Sequence, residues 1–311
     1  METIGTSAFG LCVALSSINI PKSVISIGYY AFSGCTALKD VNIEDCATPL
    51  TFIGKDGGNS YCFDITPIEN LYLGRDISYV ASPFSGFKTL ISLEIGDSVT
   101  NIGHGAFASC GITGELAIPD NVKTIGDDSF NSCKSISNLK LGAGIITIGK
   151  SAFHTCENIS GAIEIPDSVE TIKYGAFYRC QSLKSIVIPN SVTTMGNSIF
   201  EECISLENVT LSNSLTSLGS RVFVKCEKLT NVIIPNGIQE IGQECFYQCT
   251  LLSSVVIPTS VTQISGYAFD SCTSLANIYY RGTETQWGEI NKASSWDSNA
   301  GSYNISYNYA G

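Results

Sequence analysis

The chain has 311 residues, and its 28 Asp and Glu against 17 Lys and Arg give a formal net charge of −11. Only 14% of the residues are charged and 44% are hydrophobic, which excludes a disordered chain. The acidic balance argues against nucleic-acid binding, which needs a basic surface. No apolar run approaches the roughly 20 residues that span a bilayer, so we expect no membrane insertion of this chain.

A repeat of 23 residues begins close to the N-terminus. Phenylalanine recurs at this period in residues 9–32 and again in 107–269, with one interval of 24, and a cysteine follows each of these phenylalanines after three residues. The phenylalanines are Phe9, Phe32, Phe107, Phe130, Phe153, Phe177, Phe200, Phe223, Phe246 and Phe269. The first unit is already under way at Ile4 and Gly5. We therefore expect the natural protein to continue N-terminally, with a signal or anchor in that part.

The unit from Leu183 to Cys203 shows the pattern clearly. Ile186–Ile188 alternates with a period of two residues, which predicts a strand with one buried face. Pro189 cannot donate to a ladder and ends the strand. The residues 192–196 predict a second short extended segment and a bend, and the spacing in 199–203 predicts one helical or 3₁₀ turn.

The motif decays in residues 44–89. Counting back from Phe107 in steps of 23 places Phe84 and then Tyr61 at the phenylalanine position. About six extra residues are then needed between Asp45 and Ser60. With one strand for each unit, including the decayed ones, the sequence predicts 12 rungs.

Beyond Ile278 the pattern stops. Residues 279–311 contain both tryptophans, Trp287 and Trp296, and several tyrosines. Terminal units of repeat proteins are atypical because they must cover the open apolar end of the stack. We therefore predict a repeat array over residues 1–278 and a C-terminal cap over 279–311.

The motif Leu-x-x-Ile-x-Ile-Pro-x-Ser-Val-x-x-Ile-Gly-x-x-Ala-Phe-x-x-Cys closely resembles the BspA-like class of leucine-rich repeats. The resemblance covers the chain from Ile4 to Ile278. It implies a right-handed, curved solenoid with a parallel sheet on one face and short strands and 3₁₀ or helical turns on the other. It also implies an exported bacterial or protist surface protein, located outside the cell or on its surface, that binds a host matrix or surface protein in adhesion.

Ten of the 13 cysteines occupy one repeat position, where we interpret them as small buried hydrophobic residues. No Cys-x2-Cys pair of a zinc site occurs. Disulfides between equivalent residues of neighbouring rungs would have no unique pairing, although Cys46 and Cys62 lie off this position and could form an exception. His104 and His154 have no nucleophile and carboxylate arranged around them. We predict no enzyme, no cofactor and no metal site.

The strand alternation predicts two solvent-facing rows of side chains on the sheet. One row is small and polar throughout. The other becomes largely apolar in its last five members, which are Val187, Thr210, Ile233, Val256 and Tyr279. A contiguous exposed apolar patch usually marks a partner site, although β-branched residues also favour exposed strands. The candidate partner-binding residues are these five together with Tyr72.

Three functions remain open from the sequence. The first is a non-catalytic protein-interaction or adhesion module that acts as a monomer. The second is a carbohydrate-binding or polysaccharide-acting solenoid, which would need exposed aromatic residues and carboxylates converging in one groove. The third is a spacer or stalk that holds another domain away from the membrane.

Overall fold

The computed structural model describes residues 2–311, which divide into two compact units, one ending at Cys156 and the other spanning Glu157–Gly311. Each unit is a parallel β-solenoid, as the resemblance implies. Every rung places one strand in a main sheet and, in most rungs, a strand of two or three residues in a second sheet. A turn around the repeated phenylalanine follows the second strand.

The first unit contains 13 strands and a 3₁₀ turn, Lys55–Gly57, among its described residues. The strands are β1 (Thr3–Ile4), β2 (Ser17–Ile20), β3 (Ser26–Ile27), β4 (Asp40–Ile43), β5 (Leu50–Phe52), β6 (Asn70–Leu73), β7 (Ile77–Ser78), β8 (Ser92–Ile95), β9 (Asn101–Ile102), β10 (Gly114–Ala117), β11 (Thr124–Ile125), β12 (Ile136–Lys140) and β13 (Thr147–Ile148). The main sheet contains β2-β4-β6-β8 and β10-β12, and the second sheet contains β1-β3-β5-β7 and β9-β11-β13.

The second unit contains 12 strands and one helix, α1 (Glu284–Glu289). The strands are β14 (Gly161–Glu164), β15 (Thr171–Ile172), β16 (Leu183–Val187), β17 (Thr194–Met195), β18 (Asn208–Thr210), β19 (Asn231–Ile233), β20 (Glu240–Ile241), β21 (Ser254–Ile257), β22 (Gln263–Ile264), β23 (Asn277–Tyr280), β24 (Asn291–Lys292) and β25 (Asn304–Ser306). The main sheet contains β14-β16-β18 and β19-β21-β23-β25, and the second sheet contains β15-β17 and β20-β22-β24.

The predicted strand of each unit lies in the main sheet. Val41, for example, pairs with Ile18 on one side and Leu71 on the other, and all these strands run parallel. Each of the 12 predicted strands is present. A thirteenth, β25, lies beyond Ile278 and pairs with β23, so the parallel stacking continues into residues 279–311.

The glycine after the second strand permits close stacking. A Cβ atom added to Gly149 would lie 2.5 Å from the carbonyl carbon of Gly126 in the preceding rung. At Gly196 it would lie 2.5 Å from the backbone nitrogen of Tyr174. Real Cβ atoms do not approach backbone this closely. The glycine of the repeated Ile-Gly pair is therefore needed for neighbouring rungs to lie this close together.

The repeated phenylalanines form a column of stacked rings inside each unit. In the first unit Phe107 and Phe130 have ring centroids 5.5 Å apart, and Phe130 and Phe153 lie 5.6 Å apart. In the second unit Phe246 and Phe269 lie 5.1 Å apart. From Phe32 onwards the rings are fully buried, so burial and stacking both stabilise the column.

The segment around each phenylalanine, from two residues before it to three after it, is here called the Phe turn. It contains i→i−3 hydrogen bonds, such as Cys110 N–H to the Phe107 carbonyl, which are the bonds of the short 3₁₀ type of turn that the sequence predicts. Residues two before and two after the phenylalanine adopt positive φ, as Gly105 and Ser109 do. These left-handed residues prevent the turn from continuing as a helix. They also direct alternate N–H groups towards the next rung.

The irregular region contains one error of the sequence-based register. Phe63, and not Tyr61, occupies the phenylalanine position, because its ring lies 5.3 Å from Phe32 and 5.4 Å from Phe84. The interval from Phe32 to Phe63 is therefore 31 residues and the next, from Phe63 to Phe84, is 21. Counting in steps of 23 conceals a long rung followed by a short one, since their sum of 52 is 2 × 23 + 6.

Residues 279–311 cover the last ring of the column. Trp296 packs edge-on to Phe269 with centroids 5.8 Å apart, and Trp287 contacts Tyr280 at 5.2 Å. Thr283 begins helix α1 with a capping box that pairs it with Gln286. The assignment of this segment as a separate cap stays a prediction.

Candidate functional site

The candidate partner-binding row lies on the outer side of the main sheet of the second unit. Val187 of β16 pairs in register with Thr210 of β18, and both side chains are exposed. Ile233 of β19 is also exposed, at 60% of its surface, and Val187 is exposed at 52%. These three residues present apolar surface to solvent on consecutive rungs.

The other two members of the row are less accessible than the alternation predicts. Val256 lies in register between Ile233 and Tyr279 and is only 8% exposed, because larger side chains flank it on both sides. Tyr279 is half-buried, and its ring stacks on Tyr309 with centroids 4.6 Å apart. The strict inside-outside alternation is therefore wrong for Val256, and the exposed patch is centred on Val187, Thr210 and Ile233.

Tyr72 lies in the first unit, on β6, between Asn42 and Glu94 in register. Its hydroxyl donates a hydrogen bond of 2.6 Å to a carboxylate oxygen of Asp45. This bond, together with partial burial and nearby carboxylates, raises the pKa of Tyr72 to about 12. The ring is half-buried and held in place by Asp45.

A polar network surrounds Tyr72 on the same face. Asn42 donates to Asn19 at 2.6 Å, and Asn19 donates to Glu44 at 2.7 Å. Hydrogen bonding to Asn19, and to the Lys22 backbone, lowers the pKa of Glu44. A shallow cavity of about 330 Å³ lies on this part of the sheet. Amide, carboxylate and hydroxyl groups beside an aromatic ring form a surface that can bind polyhydroxylated ligands.

The repeat units have the sequence of a known family. The BspA-type leucine-rich repeat region, described as six copies, matches residues 2–57, 56–184 and 160–276. The chain belongs to the BspA-type leucine-rich repeat family. No curated protein matches the chain.

Solved structures of other leucine-rich repeat proteins share the fold of this BspA-type protein. A protein from Bacteroides ovatus is 23% identical, with a TM-score of 0.64, over 99% of this chain and 87% of its own. A leucine-rich cell surface protein from Faecalibacterium prausnitzii is 28% identical, with a TM-score of 0.53, over 94% and 86%. The pneumococcal vaccine antigen PcpA is 19% identical, with a TM-score of 0.58, over 98% and 85%.

The cysteine of the BspA-type motif is buried from Cys35 onwards and has a definite hydrogen bond. The thiol of Cys133 donates to the carbonyl of Phe107 in the preceding rung at 3.0 Å, and Cys203 donates to Phe177 at 3.2 Å. Burial raises the pKa of both thiols to about 12. The residue is thus a small buried side chain, as predicted, and also a link between rungs.

The cysteines outside this position differ from one another. Cys46 and Cys62 are both free thiols, so they do not form the disulfide that the sequence allows. Burial raises the pKa of Cys62 and Cys245, whereas a hydrogen bond from the Thr48 backbone N–H lowers that of Cys46. Among residues 2–311 no group of three or more His, Cys, Asp or Glu side chains could hold a metal ion. No helix in that range is long and apolar enough to cross a bilayer.

One concave feature of the first unit was missed by sequence reasoning. A cavity of about 540 Å³ opens between the Phe turns of Phe63 and Phe84, lined among others by Tyr61, Ile65 and Val80. The sequence contains a sign of this irregularity in the unequal intervals from Phe32 to Phe63 and from Phe63 to Phe84. A count of 23 residues conceals it, because Tyr61 fits that count and Phe63 does not.

Proposed function

We propose that this BspA-type repeat protein is a non-catalytic interaction module, outside the cell or on its surface, that binds a protein partner through the main sheet of its second unit. The observation that carries the proposal is the exposure of Val187 and Ile233, with Thr210 between them. Exposed β-branched side chains on consecutive rungs form a continuous apolar strip, and such strips mark protein contact sites.

Two further observations support this function. The F. prausnitzii structure of similar fold is a cell surface protein, which favours the same location for this chain. The strip also lies on strands of two ladders, β16 with β18 and β19 with β21. Backbone held in such ladders loses little conformational freedom on binding, which favours affinity.

The experiment uses the full chain against immobilised extracellular-matrix and serum proteins. The double variant Val187→Asp, Ile233→Asp places two charges in the strip and should weaken binding to any captured protein about tenfold or more. Leu251→Asp is the matched control, because Leu251 is similarly exposed in the same unit and lies outside both sheets. Equal binding by the double variant, with an unchanged circular dichroism spectrum, would contradict the proposal.

A second candidate function is glycan binding on the first unit, favoured by Tyr72 and the amide and carboxylate network beside it. A glycan array tests it with Tyr72→Ala, which removes the ring, and Tyr72→Phe, which removes only the hydroxyl and its bond to Asp45. Glycan binding through this face predicts loss with Ala and retention of most binding with Phe. A chain that binds neither proteins nor glycans would act as a spacer.

A further inference from the structure

The Phe turns of neighbouring rungs are joined by a regular backbone ladder. In the rung of Phe107, the N–H groups of Gly105, Phe107 and Ser109 donate to carbonyls of the next rung over distances of 2.6–2.8 Å. The same three positions make the same three bonds between the rungs of Phe32 and Phe63. The ladder uses alternate residues, as a parallel strand pair does.

Between the Phe turns of Phe63 and Phe84 this ladder is missing. Within the described chain, the N–H groups of Tyr61, Phe63 and Ile65 donate to no backbone carbonyl. The carbonyls that would accept them in a regular rung belong to Ala81, Pro83 and Ser85, and these also have no backbone partner. We call this gap, between residues 61–66 and 82–87, the seam.

The seam follows from the short interval between Phe63 and Phe84. Phe63 lies eight residues before Leu71, whereas Phe107 lies nine before Leu116. Leu71 lies 13 residues before Phe84, whereas Leu93 lies 14 before Phe107. Each half of the rung is one residue short, and the two Phe turns no longer meet in register.

The seam is open at the surface and closed below. The rings of Phe63 and Phe84 still stack at 5.4 Å, and β5 still pairs with β7. On the far side of the short rung, the Ser82 hydroxyl donates to the Ala106 carbonyl at 2.5 Å and accepts from the Phe84 N–H at 3.2 Å. That side chain joins the turn of Phe84 to the next rung. The Gly86 N–H also donates to the Ala108 carbonyl at 2.7 Å, so the turn of Phe84 keeps part of the ladder on this side and none of it towards Phe63.

The rim of the seam is apolar and carries one negative charge. Ile65 is 73% exposed, Val80 is exposed to a similar degree, and Tyr61 is about half exposed. Ile65 also adopts a positive φ of 57°, a strained conformation for a β-branched residue. Asp64 is the carboxylate among the lining residues, and no Lys or Arg lines the cavity.

We propose that the seam binds an extended peptide segment of a partner protein, with an apolar side chain next to a basic one. The peptide lies in the cavity along the turn of Phe63, where its carbonyls accept from the N–H groups of Tyr61, Phe63 and Ile65. Such pairing is β-strand addition, in which backbone bonds supply affinity and side-chain contacts supply specificity. The apolar side chain covers Ile65 and Val80, and the basic one pairs with Asp64. This site is separate from the proposed sheet surface of the second unit.

The first experiment is selection of a random decapeptide phage library on the immobilised full chain. We expect enriched peptides that combine apolar and basic residues and that bind Ile65→Asp at least about tenfold more weakly than the unchanged chain. Leu11→Asp is the matched control, since Leu11 holds the same place in its Phe turn, with φ 59° and 77% exposure. Its binding should equal that of the unchanged chain.

The second experiment is hydrogen exchange of the full chain with and without the best selected peptide. We expect the amides of Tyr61, Phe63 and Ile65 to exchange rapidly in the free protein and to slow at least about tenfold with peptide, because bonded amides exchange only on local opening. Absence of enriched peptides, equal binding by Ile65→Asp, or protection elsewhere on the chain would each overturn the proposal.

Discussion

Two pairs of Phe turns in the first unit share stacked rings and differ in the backbone ladder between them. The turns of Phe107 and Phe130 have stacked rings at 5.5 Å and a complete backbone ladder above them. The turns of Phe63 and Phe84 have stacked rings at 5.4 Å and no ladder. The aromatic column and the surface ladder are therefore separable parts of the repeat.

The physical reason is the different geometry of the two interactions. Ring stacking tolerates offsets in position, whereas a hydrogen-bond ladder needs each N–H to face its carbonyl within a few tenths of an ångström. When each half of a rung is one residue shorter, the ring stacking stays intact and the hydrogen-bond ladder is lost. The exposed apolar side chains of Ile65 and Val80 lie beside the open ladder.

The largest effect should come from removing a ring of the column. Phe84→Ala and Phe130→Ala should each lower the free energy of unfolding by about 3–5 kcal/mol, because both side chains are fully buried between two neighbouring rings. Urea denaturation followed by circular dichroism measures the loss. A clearly smaller loss for Phe84→Ala would mean that the column is weakened beneath the seam. It would contradict the conclusion that the aromatic column is independent of the backbone ladder.

The next effect concerns the spacing between regular rungs. Gly149→Ala should lower the free energy of unfolding by about 1–3 kcal/mol, because its Cβ atom would meet the backbone of Gly126 and Asp127 within 2.6 Å. Gly5 holds the same motif position and has no atom within 4 Å of such a Cβ, so Gly5→Ala is the control and should change stability little. The measurement is the urea midpoint of both variants, and equal losses would refute the role of close stacking.

The cysteine position should show a smaller effect that depends on pH. Cys133→Ala should cost about 1–2 kcal/mol at pH 7, because it removes the thiol bond to Phe107 and leaves a small cavity. Burial raises the pKa of Cys133 from 9.0 to about 12. Its contribution is therefore complete below pH 9 and is lost as the pH rises towards 12, since the unfolded thiol ionises first.

Urea midpoints between pH 7 and pH 10.5 test this dependence. The unchanged chain should lose stability above pH 9, and Cys133→Ala should lose it less steeply. Cys12→Ala is the control because Cys12 is exposed, and it should leave both the midpoint and its pH dependence unchanged. Identical slopes for all three proteins would contradict the assigned effect of burial.

The smallest effect should occur at the seam itself. The left-handed conformation costs an L residue about 1–2 kcal/mol, which glycine avoids. Glycine in turn loses more conformational entropy on folding, and this offsets about 0.5–1 kcal/mol of the gain. Ile65→Gly should therefore raise the free energy of unfolding by about 0.5–1 kcal/mol, because Ile65 is exposed and makes little packing contact. Thermal unfolding of the variant measures the change, and a loss of stability would show that Ile65 packs in the fold.

Most of the regular array could be predicted from the sequence, because each rung repeats the same local pattern. The strand Leu183–Val187 covers most of the predicted 186–188 and ends before Pro189, and Cys203 is buried, as the motif predicts. The irregular region could not be predicted, since Tyr61 and Phe63 are both aromatic and a count of 23 selects the wrong one. The exposed strip was predicted in part. Alternation correctly places Val187 and Ile233 outward, but it also predicts an exposed Val256, which the flanking side chains cover.

The sequence alone determined the parallel repeat fold, the strand of each rung and the positions of its phenylalanine and cysteine. These features depend on residue type and on a period of 23, and both can be read without coordinates. Only the tertiary structure decided which aromatic residue joins the column at Phe63, that the ladder above it is open, and that Val256 is covered. Those features depend on the neighbouring rungs, because stacking and register are relations between residues that lie 21–31 positions apart.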